Sequence, residues 1–79
     1  IMIDPNVRGK QVYIKAYLYY YGEINVISTS GQKTQLAYAG TYKGINVDQT
    51  FTMPEDAEKI ELARYNAGNA YLYEIRPEN

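Results

Sequence analysis

Residues 11–21 alternate between two kinds of side chain, and that alternation constrains the chain more than any other feature. A strand sends successive side chains to opposite faces. One face reads Val12, Ile14, Ala16, Leu18 and Tyr20, and the other reads Tyr13, Lys15, Tyr17, Tyr19 and Tyr21. The first is an ordinary core face. The second is a row of aromatic rings tipped with hydroxyls, which suits contact with something partly polar and partly apolar. Ten of the 79 residues are tyrosine, against one Phe and no Trp, Cys or His.

Other segments repeat the two-residue period. In residues 23–29, Ile24, Val26 and Ser28 oppose Asn25, Ile27 and Thr29, and Ser30-Gly31 is a two-residue turn into residues 32–39. Residues 45–53 put Ile45, Val47, Gln49, Phe51 and Met53 on one face. Pro54-Glu55-Asp56 makes a turn, since proline pre-sets the backbone for its second position. Residues 58–65 form a further strand with Ile60 and Leu62 inward, against the alternative of a helix over residues 55–65 in which Ala57, Ile60, Leu62 and Ala63 recur only loosely at helical period. Residues 66–69 form a hairpin loop, and residues 70–76 a closing strand ended by Pro77. Residues 1–10, with Asp4-Pro5-Asn6 and Gly9, read as a loop. The expected fold is all-β: a jelly-roll-like antiparallel β-sandwich of about six strands.

Seventy-nine residues make one domain, with a thin margin of stability and no cysteines or histidines to staple it. The chain starts at Ile1 rather than Met, which fits a single module, residues 1–79, excised from a longer protein, and fits equally the loss of tag or processed residues. Eight basic and nine acidic residues leave a net charge of −1, so the electrostatic drive for nucleic-acid binding is missing. No apolar run approaches the ~20 residues of a membrane helix, so membrane insertion is not expected.

Three stretches together carry a resemblance: residues 9–17 (GKQVYIKAY), 49–62 (QTFTMPEDAEKIEL) and 68–75 (GNAYLYEI). Their order resembles the later part of galactose-binding-like jelly rolls, including carbohydrate-binding modules of the family 4/9 type found on secreted glycosidases and phage tail proteins. The resemblance implies a glycan-binding sandwich at an extracellular or virion surface. Such modules are usually longer, their terminal strand carries an Asp pair near calcium where this chain has Tyr73-Glu74, and their binding aromatics are often Trp.

The chemical inventory argues against an enzyme. The common general base, the thiol nucleophile and the usual transition-metal ligands are all missing. Neither Ser28 nor Ser30 sits in a nucleophile elbow. Glu55, Asp56, Glu58 and Glu61 cluster in sequence as solvated surface charge around a turn. No cofactor is expected; Asp4, Asp48, Asp56 and Glu74 are oxygen donors of the type calcium takes, without the spacing of a calcium loop.

A sugar ring stacks its apolar face on an aromatic plane while hydroxyls and amides bond its rim, and tyrosine supplies both at low entropic cost. Along a strand, Tyr17, Tyr19 and Tyr21 would recur every ~6.6 Å, near the length of a hexose unit. The expected ligand-binding set is Tyr13, Tyr17, Tyr19, Tyr21, Tyr42, Asn46 and Gln49, recognising a polysaccharide or cell-surface glycan. The alternative is a structural module in which the tyrosine row packs against another copy or a neighbouring domain, as in a phage tail or fibre.

Overall fold

The computed structural model describes residues 1–63 and 68–78. Six strands follow a short 3-10 turn (Pro5–Val7): β1 (Gln11–Leu18), β2 (Glu23–Ser28), β3 (Lys33–Tyr38), β4 (Ile45–Thr52), β5 (Ala57–Ala63) and β6 (Ala70–Pro77). All pairings are antiparallel, and they build two three-stranded sheets ordered β4-β1-β6 and β3-β2-β5. The expected all-β sandwich of six antiparallel strands is what forms. No helix among the described residues is long and apolar enough to cross a membrane.

The inward face of β1 behaves as its alternation requires. Val12, Ile14, Ala16 and Leu18 are buried and meet Ile24 and Val26 of β2, Val47 of β4, Ala57 and Ile60 of β5, Ala70 of β6, and Met53. Burying such aliphatic side chains contributes roughly 1.5–3 kcal/mol each, which is the main stabilising term in a domain this small.

Strand β2 is buried on both faces. Asn25 and Ile27 point away from the core, yet both are inaccessible. Their cross-strand partners explain this: Gln35 and Glu61 flank Asn25, and Lys33 and Lys59 flank Ile27. Long polar side chains lay their aliphatic stems over a central strand while their heads stay in water.

Three expectations need correction. Strand β1 ends at Leu18, not Tyr21, because the backbone turns left-handed at Tyr20 (φ 37°) and Tyr21 (φ 69°). Residues 1–10 are more than a loop: Met2 bridges to Lys59, Ile3 N–H donates to the Glu58 carbonyl (2.9 Å) and Ile60 N–H to the Ile1 carbonyl (2.8 Å). This short segment covers the free edge of β5. The loop between β5 and β6 joins different sheets, so it is not a hairpin; its residues 66 and 67, and Tyr65 at the end of the expected strand, lie outside the described residues.

Candidate functional site: a tyrosine-lined loop end

The turn after β1 is tied to two other loops. Tyr19 N–H donates to the Asn69 carbonyl (2.9 Å), Tyr20 N–H to the Thr41 carbonyl (3.0 Å), Tyr21 N–H to the Ala39 carbonyl, and Ala39 N–H to the Gly22 carbonyl (3.1 Å). The Asn69 side-chain amide donates to the Tyr20 carbonyl. Left-handed backbone at a non-glycine residue costs of order 1 kcal/mol, and it persists where surrounding bonds over-determine it. Here those bonds come from the β3–β4 and β5–β6 connections, so three loops are fixed at one end of the sandwich.

Gly22 makes the junction fit. A Cβ there would lie 1.9 Å from the Asn69 carbonyl oxygen, so only glycine allows the two backbones to approach.

On this frame sits a chain of rings. Tyr20 and Tyr42 stack nearly parallel, with centroids 4.2 Å apart and planes 7° apart. Tyr21 lies 4.5 Å from Tyr20, Tyr38 stacks on Tyr21 at 6.3 Å, and Tyr19 tilts against Tyr20 at 6.3 Å. These are offset and tilted arrangements that aromatic quadrupoles favour. Tyr42 remains 70% exposed despite its stack. Its hydroxyl sits 3.4 Å from that of Tyr20, and Thr41 and Lys43 flank it in sequence.

The outer face of β4-β1-β6 carries a second group. Tyr17 has Asn46 on one side and Tyr71 on the other, the two rings 6.3 Å apart and tilted by 40°. A Cβ at Gly44 would overlap the Tyr17 ring, so the chain entering β4 runs directly beneath that ring. Tyr73, 64% exposed, falls at the bulge where β6 shifts register against β1. Tyr13 is already engaged: its hydroxyl donates to Asp48 Oδ1 (2.6 Å), and the Arg76 guanidinium lies 4.5 Å from its ring centroid. The Asp48 hydrogen bond, then partial desolvation and nearby carboxylate charge, hold the Tyr13 hydroxyl above its ordinary pKa.

The expected site residues thus divide. Tyr13, Tyr17 and Asn46 share the outer sheet face, whereas Tyr19, Tyr21 and Tyr42 belong to the loop end. The single row at a two-residue step does not exist, because Tyr19 and Tyr21 follow the end of the strand. Gln49 pairs with Ile14, which turns it to the opposite side of the sheet from Tyr13 and Tyr17. Tyr20, Tyr38 and Tyr71 were not in the expected set. For Tyr38 the signal is the spacing Tyr38-Ala39-Gly40-Thr41-Tyr42, in which a glycine lets two tyrosines flank one tight loop.

Two clefts of about 160 and 210 Å³ are lined by other residues, the first mainly by aliphatic side chains near the N-terminus, and neither includes a tyrosine. The rings of Tyr42, Tyr71 and Tyr73 are exposed and offer open aromatic surface. The four carboxylates considered for calcium are dispersed: Asp4 accepts from Asn6 N–H, Asp48 from Tyr13, and Glu74 pairs with Arg76, while Asp56 lies in the turn before β5. Among the described residues no group of three or more such side chains could hold a metal ion.

Compared with protein-family models, curated proteins and solved structures, the chain matches none. The galactose-binding-like resemblance accordingly rests on the three sequence stretches alone.

Proposed function

We propose that this chain is a non-catalytic adhesion module that binds a polysaccharide or cell-surface glycan through its tyrosine-lined loop end, at an extracellular or virion surface. The observation that carries the reading is the Tyr42 ring. One of its faces is held flat against Tyr20 and the ring is otherwise largely open. An aromatic plane fixed in orientation, with hydroxyls at its rim, is the arrangement on which a pyranose stacks. Tyrosine loops on a sandwich scaffold provide large, rigid, amphipathic contact area at low entropic cost. Tyr17, Tyr71 and Asn46 extend the surface onto the adjoining sheet.

Screening against immobilised glycans tests this. Wild-type protein retains at least one glycan class, and Tyr42→Ala weakens that binding about tenfold, the equivalent of ~1.4 kcal/mol of stacking. Unchanged far-ultraviolet circular dichroism establishes that the fold survives. Absence of any glycan binding by the wild type, or full binding by Tyr42→Ala, overturns the reading.

A further inference from the structure

Both sheets end in edge strands, and three of the four edges are protected. Residues 1–3 cover β5. Strand β3 begins with Lys33 and shifts register against β2. Strand β6 carries a bulge, an Arg76–Glu74 ion pair and a terminal proline. Bulges, lysines, prolines and covering segments are the devices by which sheets avoid pairing with other chains. Strand β4 has none of them: eight residues, INVDQTFT, in unbroken register with β1, with one charge.

The hydrogen-bond phase of that edge can be read from its ends. Met53 N–H donates to the Lys10 carbonyl, and Glu78 N–H to the Gln11 carbonyl. Alternate residues of a central antiparallel strand bond opposite neighbours, so even-numbered residues of β1 bond β4. On β4, Ile45, Val47, Gln49 and Phe51 therefore turn their peptide groups toward β1. Asn46, Asp48, Thr50 and Thr52 turn theirs outward, and among the described residues no other backbone group bonds to them.

We infer that the β4 edge is a self-pairing surface, on which a second copy of this chain adds its own β4 antiparallel about a two-fold axis at Gln49. That register places Asn46 opposite Thr52, Asp48 opposite Thr50, and Val47 opposite Phe51, and makes about eight backbone hydrogen bonds from the outward groups. A centre at Asp48 would oppose two carboxylates, which is unfavourable. A centre at Thr50 would run Asn46 against Pro54, which has no N–H, and a centre at Val47 would shorten the overlap. Only the Gln49 centre combines long overlap with no like charges. It is isologous, as a two-fold interface must be. The resulting six-stranded sheet carries both Tyr17 side chains on one face, roughly 25 Å apart from strand spacing and rise. The inference is independent of the glycan reading, and it places the interface at an edge rather than on the tyrosines.

Gln49 meets its own copy on the axis, so charge there tests both the interface and its register. Sedimentation of the wild-type chain, 9.1 kDa as a monomer, gives a concentration-dependent dimer. Gln49→Lys and Gln49→Glu are each monomeric, and an equimolar mixture of the two regains dimer mass. Thr50→Pro, which removes an outward N–H without touching the β1 ladder, is also monomeric. The inference is overturned if the wild type stays monomeric up to about 1 mM. It is overturned equally if Gln49→Lys and Thr50→Pro dimerise like the wild type, or if the mixture stays monomeric. Circular dichroism of each variant separates loss of pairing from loss of fold, and the glycan screen repeated on monomeric Gln49→Lys separates the two readings.

Discussion

At the scale of single residues, the loop end depends on one glycine more than on any tyrosine. The Asn69 carbonyl occupies the place where a side chain at residue 22 would begin, and that oxygen belongs to backbone bonded to Tyr19. Gly22→Ala therefore cannot be absorbed by a rotamer change; the β1–β2 turn or the β5–β6 loop has to move. We expect a loss of about 3 kcal/mol in urea denaturation, at the upper end of single-residue effects. A loss below about 1 kcal/mol would mean that the two loops are not held together as described. Gly44→Ala meets a ring instead of a carbonyl, since the Tyr17 side chain can swing aside.

The same scale explains what the sequence conceals. The alternation of residues 11–21 continues past the end of β1, and tyrosine is a good strand former, so nothing in the pattern stops the strand before Gly22. The break lies in two positive φ angles at Tyr20 and Tyr21, a conformation that bulky residues rarely adopt. The bonds that impose it come from residues 39, 41 and 69, remote in sequence and invisible to any local pattern. Where a strand's environment is set by its own faces, as for Val12 through Leu18, Ile24 with Val26, and the Pro54–Asp56 turn before β5, the reading from sequence and the structure agree.

At the scale of elements, β2 shows how a strand can be covered without a second layer. Asn25 is fully buried on the outer side of its sheet, its amide donating to Glu61 Oε1 (3.1 Å), which also pairs with Lys33 Nζ (3.1 Å). The ion pair with Lys33 first, then the bond from Asn25, hold the Glu61 carboxyl below its ordinary value of 4.5. A carboxyl whose pKa falls on folding binds its proton less tightly when folded. Its stabilising contribution is thus present above the unfolded value and is lost as pH falls through the folded one. Chemical denaturation at stepped pH should show wild type losing more stability than Glu61→Gln as pH drops from neutral through 4.5 and below. Parallel pH curves for the two proteins would rule out this role. The partly exposed setting of the pair keeps the effect small.

At the scale of the whole molecule, the two sheets interleave the chain. One takes strands β1, β4 and β6, the other β2, β3 and β5, and only β2 and β3 are both sequence neighbours and partners. Almost every native pairing has to close a long loop before it is rewarded, and sandwiches of this type fold in milliseconds to seconds. Stopped-flow refolding should give a single exponential in that range with no sub-millisecond gain of tertiary signal. A microsecond phase carrying most of the amplitude would contradict the topology.

Strand β1, the centre of its sheet, is flanked by β4 and by β6, the final strand. During synthesis its apolar face and its tyrosines emerge before either of its sheet partners. The β4-β1-β6 sheet cannot be finished until β6 has been made, whereas β3-β2-β5 needs nothing beyond Ala63. The β4-β1-β6 sheet therefore closes only after β6 clears the ribosome exit tunnel, and until then the nascent polypeptide presents the stretch around Tyr13–Tyr21 to whatever chaperone waits at the tunnel mouth.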